Sequence, residues 1–307
     1  MSKDTTLTAY TREKDAIAFL GLLSYMYANW DAPISVAPAS AAPPTPTEDN
    51  VTHYRGLNIC GLIVDNTDGE VLALDKNAIH EYNSPVEHGE QRALRAAIAR
   101  MNVKRPRGPD TTVEEYYRSQ LFYAEGDTPS AYVNTGSTLY TSLEPCPMCT
   151  ATLCVCRMKR IVYLFRDDTF GGSFDWRGQP GHGGIQDRYY PSYEMKYEEL
   201  DLAGETGGID GHAQGFHQKL VAKIGAKKDS PGSFRKQGMY DTLFFDYLHP
   251  ELQALYEYFT HAAPSALITS GDARAKNLNM LAGLKKLINM PYLAKSARQS
   301  VSARAGS

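Results

Sequence analysis

An α/β fold, with helices packed on a sheet, is predicted by three stretches of this 307-residue chain. Residues 138–165 read as strand, helix, strand with short connections, the pattern of a parallel βαβ unit with a right-handed crossover. Leu57–Leu74 holds two apolar runs about the turn residues Asn66-Thr67-Asp68-Gly69, which is a β-hairpin pattern. Between hairpin and βαβ unit, Ser84–Met101 carries apolar residues at helical spacing.

The elements follow in chain order. Ala16–Trp30 is apolar and uncharged, too short to span a bilayer comfortably. A signal peptide is an alternative, because small residues follow at Ala37–Ala42, but Asp4, Glu13 and Asp15 stand where a basic stretch belongs. Ile17, Leu20, Leu23, Tyr27 and Trp30 recur at helical spacing, so residues 1–30 are expected to form an amphipathic helix packed on the body or on a partner subunit. Residues 31–50, with five prolines, read as a linker. The compact domain is expected over 51–203. Its first strand lies in Leu57–Asp65 and its second in Val71–Leu74. Ser84 then serves as N-cap, Pro85 as first helical residue and Glu87 as partner in a capping box. Glu90, Leu94, Ala97, Ile98 and Met101 share one stripe of this helix, which turns a carboxylate toward the core, where burial is costly. An insert follows at 102–130, with a helix expected over Val113–Ala124. Thr138–Leu143 is read as a strand, Cys146–Met158 as a helix, Arg160–Phe165 as a strand and Glu194–Leu202 as a candidate fifth strand. Residues 204–307 form a helical extension, with helices expected at Phe216–Ile224, Tyr240–His261 and Ala275–Leu287 and a basic frayed tail from Ala294.

Hydrophobic residues make up 42% of the chain, enough for a sizeable core, and the net charge is −3. That balance argues against a phosphate backbone as the main partner. The densest basic run is Arg92, Arg95, Arg100, Lys104, Arg105 and Arg107. It reads first as a solvated helix face and loop, and second as a nucleic-acid surface. Four of the five cysteines (Cys146, Cys149, Cys154, Cys156) crowd one predicted helix while Cys60 stands apart, which is no disulfide framework. Free thiols fit a reducing, cytoplasmic setting.

The residues that carry chemistry are His88-Gly89-Glu90 and Pro145-Cys146-Pro147-Met148-Cys149. One imidazole and two thiolates are three zinc ligands. A structural zinc site closes with four protein ligands, whereas a catalytic one keeps a position for water, and Glu90 is a candidate acid/base group for that water. Cys146 and Cys149 are neighbours on the first turn of a helix, where the backbone amides stabilise thiolates. Residues 88 and 90 lie about 200° apart on an ideal helix, so spacing alone does not bring both to one metal. A redox C-x-x-C would lack the upstream H-x-E. Cys154 and Cys156 lie too far along the helix to complete a tetrahedron and read as small core residues.

These motifs resemble the cytidine deaminase-like superfamily, in its branch of tRNA adenosine, guanine and fungal-type cytosine deaminases. Glu144–Cys149 is similar to the guanine deaminase version, and His-Gly-Glu to that of fungal-type cytosine deaminase. Pro85, and Arg166-Asp167-Asp168 followed by Gly171-Gly172, fit the same branch. The resemblance covers about Leu57–Gly172. It implies a three-layer α/β/α sandwich around a mixed five-stranded sheet, here with helical N- and C-terminal extensions. It also implies one catalytic zinc on His88, Cys146 and Cys149, with Glu90 as the proton carrier. Asn77 stands in the register of the branch's base-binding asparagine, and Ser142, Leu143 and Glu144 are expected to add contacts to the substrate. Phe174 and Trp176, in a Gly- and aromatic-rich extension, are candidates for stacking on a ring, or for ordinary packing.

The implied reaction is hydrolytic deamination at an amidine carbon, with release of ammonia. A free base, nucleoside or related amino-heterocycle is the expected substrate. A nucleic-acid editor and a non-catalytic partner subunit are the alternatives, and a homo-oligomer, most simply a dimer, is expected. No membrane partner is expected.

Overall fold

The computed structural model describes residues 9–29, 56–79, 81–104, 136–156, 158, 160–167, 171, 196–202, 208–228, 248–261, 268 and 274–290. The insert helix expected at Val113–Ala124, the aromatic extension with Phe174 and Trp176, the 31–50 linker and the C-terminal tail lie outside them. In chain order the elements are α1 (Ala9–Ala28), β1 (Cys60–Asp65), β2 (Val71–Lys76), α2 (Gly89–Lys104), β3 (Ser137–Thr141), α3 (Pro147–Val155), β4 (Arg160–Tyr163), β5 (Lys196–Glu199), α4 (Gly208–Lys228), α5 (His249–His261) and α6 (Arg274–Ile288).

The strands form one mixed five-stranded sheet in the order β2-β1-β3-β4-β5. β1 pairs antiparallel with both β2 and β3, while β3–β4 and β4–β5 are parallel. The hairpin, the βαβ unit and the candidate fifth strand thus fall where the residue pattern put them. Because side chains alternate across a strand, register sorts the core into two faces. Ala73, Ile63, Leu139, Ile161 and Tyr197 form one row across all five strands. The apolar residues of that row pack with Leu94, Ala97 and Met101 of α2 and Leu153 of α3. Leu62, Val64, Tyr140 and Val162 face the other way, into a second core with α1 and the C-terminal helices. The result is the three-layer α/β/α sandwich.

α1 departs from the amphipathic expectation. Every residue from Glu13 to Met26 is buried, as in a helix enclosed on all sides rather than one lying on a surface. The sheet covers one flank of α1, and α4, α5 and α6 cover the rest. Its charged first turns are matched to fixed partners. Arg160 grips Asp15 with two bonds of 2.6 and 2.7 Å, the Tyr140 hydroxyl donates to Asp15 at 2.7 Å, and the Asn277 amide donates to Glu13 at 3.0 Å. Such a bidentate pair fixes orientation as well as charge. Lys14 donates to Asn66 and, at 3.0 Å, to the Thr138 hydroxyl. No helix among the described residues is long and apolar enough to cross a membrane.

α2 also differs from expectation. It begins at Gly89, not near Pro85. The Ser84 N–H donates to Ile79 and the Glu87 N–H to Ser84, so the expected capping box is a separate turn. The Glu87 carboxylate is taken by Arg92 and Arg95 instead of reaching back to Ser84. α4 extends well beyond the expected 216–224, and α5 occupies the later part of the expected Tyr240–His261 helix, whose residues 240–247 lie outside the described residues. Members of the basic run are ion-paired within the domain: Arg92 is buried against Asp75 (3.1 Å) and Glu87 (3.3 Å), and Arg100 holds Glu70 (2.7 Å).

Burial lowers the Lys14 ammonium from 10.5 to about 7, with the Arg160 charge adding to the effect. Below about pH 7 folded and unfolded chains both carry this proton. Between about 7 and 10.5 the unfolded chain binds it more, so stability rises with pH across that window. Lys14→Met removes the dependence. Thermal unfolding should show wild type gaining on the variant as pH rises from 7 to 10.

Candidate active site

Two helices begin at one place, each just after a sulfur or imidazole side chain. The His88 carbonyl accepts the Arg92 N–H at 3.0 Å, and the Cys146 carbonyl accepts the Thr150 N–H at 2.9 Å. Both residues are therefore N-caps, with side chains free of the helical cylinder. This removes the 200° difficulty, since His88 precedes the helix that carries Glu90. Cys149 follows in the first turn of α3, after Pro147 at its first position.

The close approach that seats α2 is made by two glycines. A Cβ on Gly61 of β1 would fall 2.9 Å from the Gly89 carbonyl and 3.0 Å from Glu90 Cα, and one on Gly89 would fall 2.6 Å from the Ile59 carbonyl. Backbone thus rests on backbone, and the start of α2 lies against the start of β1. The same Ile59 carbonyl accepts the Asn77 N–H at 2.8 Å. On the other flank of β1, Ser142 and Cys60 exchange two bonds: the Cys60 N–H donates to Ser142 Oγ at 3.0 Å, and the Ser142 N–H to the Cys60 carbonyl at 3.1 Å.

His88 Nδ1 stands 3.7 Å from Cys146 Sγ and 3.5 Å from Cys149 Sγ, and the three ligand atoms lie within 4.8 Å of one another. A tetrahedral zinc, with bonds of about 2.3 Å to sulfur and about 2.0 Å to nitrogen, sets nitrogen and sulfur ligands roughly 3.6 Å apart. The donor set fits. Its electrostatics also call for a cation. A hydrogen bond from Cys149, then one with His88, holds the Cys146 thiol down at about 4. The Cys149 thiol is pushed up by its bond to Cys146 and by burial. The His88 imidazole is raised, first by its bond with Cys146. The protein alone supports one thiolate here, and a divalent ion is what lets both sulfurs ionise.

Glu90 is 3% exposed, and its Oε2 has no hydrogen-bond partner among the described residues. Burial raises its carboxyl from 4.5 to about 7. A buried carboxylate oxygen without a donor, two residues from a metal ligand, is costly unless something else engages it. Asn77 is 1% exposed. Its Oδ1 accepts the N–H groups of Leu57 and Ile79, each at 3.2 Å, while Nδ2 is buried without a partner among the described residues. The two backbone donors fix the amide so that it offers a donor.

The remaining expected residues divide. Ser142 is engaged with Cys60, and Leu143 is buried in the second core. The Glu144 carboxylate accepts the Asp167 N–H at 3.2 Å and the Tyr197 hydroxyl at 3.4 Å. Reading the sequence passed over Gly61 and Tyr197. A glycine inside an otherwise apolar strand is a sign of close backbone approach, whereas a tyrosine in a short edge strand carries no such sign.

Residues 47–165 match the family model described as cytidine and deoxycytidylate deaminase zinc-binding region. The chain is 27% identical over 105 residues to a tRNA-specific adenosine deaminase of Aquifex aeolicus (strain VF5), covering 34% of this chain and 51% of that protein. It therefore spans about half the length of the curated relative it matches. Among solved structures, guanine deaminase from Bacillus subtilis overlaps at 20% identity and a TM-score of 0.27, over 56% of this chain and 85% of that one. A structure from work on A-to-I editing by tRNA:A34 deaminases overlaps at 22% identity and 0.30, over 47% and 82%. Residues 47–165 are thus similar to a deaminase zinc-binding region, and His88, Cys146 and Cys149, which could hold a metal ion, lie within that span.

In an open helix position Gly→Ala is ordinarily neutral or stabilising. Here the added methyl meets the Ile59 carbonyl. Gly89→Ala should cost about 1–3 kcal/mol, read by urea unfolding of the metal-free protein.

Proposed function

We propose that the chain is a zinc-dependent hydrolytic deaminase. Its substrate is a small amino-heterocycle: a nucleobase, nucleoside or related ring with an exocyclic amine on an amidine carbon. The observation that carries this reading is Glu90, a buried carboxylate with one unpartnered oxygen beside a three-donor metal site. A purely structural zinc site has no use for it.

His88, Cys146 and Cys149 would hold the zinc. When bound through three protein ligands, zinc supplies Lewis acidity toward a water in the remaining position. Glu90 takes a proton from the attacking water and returns protons to a ring nitrogen and to the departing amine. Water's oxygen ends in the new carbonyl, and ammonia leaves. The high affinity of Glu90 for a proton, caused by burial, suits a group that must accept and release one near neutral pH. Asn77 presents its Nδ2–H to an acceptor on the ring and so fixes which edge faces Glu90. Editing of tRNA is the second reading, supported by the named activity of the Aquifex aeolicus relative. The ion-paired state of Arg92, Arg95 and Arg100 favours the small substrate.

Glu90→Ala is expected to retain zinc and lose ammonia release by about 10²–10⁴-fold or more. The assay is ammonia production over a panel of bases, nucleosides, nucleotides and tRNA, with metal content measured on the same samples. Near-normal turnover in the variant would refute the role of Glu90. Turnover of tRNA alone would replace the small-molecule reading with the second.

A further inference from the structure

We infer that Tyr197 and Glu144 form a positioning pair that holds the two zinc cysteines in register with His88. The inference rests on the reading of His88, Cys146 and Cys149 as the zinc ligands.

Glu144 and Cys146 flank Pro145, at the point where the chain leaves β3 for α3. The Glu144 backbone is anchored to the neighbouring strand, its N–H donating to the Phe165 carbonyl at 2.8 Å. The side chain is 5% exposed and is held in two directions. Oε2 accepts the Asp167 N–H at 3.2 Å, fixing the loop after β4, and Oε1 accepts the Tyr197 hydroxyl at 3.4 Å. The loop folds back closely, since a Cβ on Gly171 would fall 2.3 Å from Oε2.

Tyr197 comes from β5, the edge strand, opposite Ile161. Its ring lies 5.4 Å from that of Tyr163 and packs with the α2/α3 core. Thr150, the residue after Cys149, donates its hydroxyl to the Pro145 carbonyl at 3.2 Å and closes the Cys146–Cys149 turn on itself. Glu144, just before Pro145, therefore ties the entry of that turn to β5 through Tyr197 and to the loop after β4 through Asp167. Every one of these contacts is made away from the sulfurs. They set where the turn sits, and hence where both sulfurs point, as outer partners of metal ligands do.

Tyr197→Phe keeps the ring and removes the oxygen. Zinc affinity is measured by competition with a chromophoric chelator, and sulfur-to-metal charge-transfer absorption is read on the cobalt-substituted protein. Outer-shell losses in metal affinity are on the order of 10–100-fold, and a loss of about tenfold with an altered cobalt spectrum is expected. Val162→Ala, in the opposite core, is the control for general destabilisation and should leave both readouts unchanged. Should Tyr197→Phe fold poorly, Glu144→Gln serves, because a carboxamide cannot accept from both Asp167 and Tyr197 through equivalent oxygens. Wild-type zinc affinity in the folded variants, or an equal loss in Val162→Ala, overturns the inference while leaving the zinc reading intact. A wild type that binds neither metal overturns both.

Discussion

The contact between Gly61 and Gly89 is the constraint on which the site depends. A helix rests on a sheet at a distance set by intervening side chains, and here at the first turn there are none. That lets the Glu90 backbone lie directly on β1, sinks the carboxylate into the interior and swings His88 off the helix end toward the sulfurs. A methyl group on either glycine would have to displace backbone, and a shift of even an ångström would open a donor triangle whose measured sides are 3.5 and 3.7 Å. The geometry of the metal site is thus inherited from close packing at a point where no ligand is involved.

From that contact the electrostatics follow. Two sulfurs and a carboxylate are gathered where water is scarce, next to a single imidazole. The protein offers partial compensation through the amides at the starts of α2 and α3. It does not offer enough positive charge for both thiolates and Glu90 to ionise together. A zinc ion held by His88, Cys146 and Cys149 would supply the missing charge and make the cluster stable rather than costly. Asn77 is buried on the same terms: its oxygen is satisfied by Leu57 and Ile79, and its nitrogen is held out for something the chain does not provide.

Much of this was legible in the residues because it is local. The hairpin turn, the βαβ spacing and the inward stripe of α2 each follow from periodicity within one segment. The start of α2 was misread for a physical reason. Ser84–Glu87 has the composition of a capping box, but the Glu87 carboxylate finds Arg92 and Arg95 of the helix itself and the Ser84 N–H finds the Ile79 carbonyl, so other nearby partners outcompete the box. α1 was misread because an apolar segment does not reveal how many sides are covered. Its cover comes from α4, α5 and α6, whose sequence carries no motif linking them to a segment some 200 residues earlier. Tyr197 was invisible because its role lies in one hydroxyl meeting Glu144, a residue distant in sequence.

The central claim is that this chain holds zinc through three protein ligands and leaves one position open for chemistry. X-ray absorption at the zinc edge on the purified protein tests it directly. The account predicts one zinc per chain with two sulfurs at about 2.3 Å and two nitrogen or oxygen neighbours at about 2.0–2.2 Å, one of which exchanges when a small anion is added. A shell of four protein ligands with no exchangeable position, or protein without zinc, would contradict it.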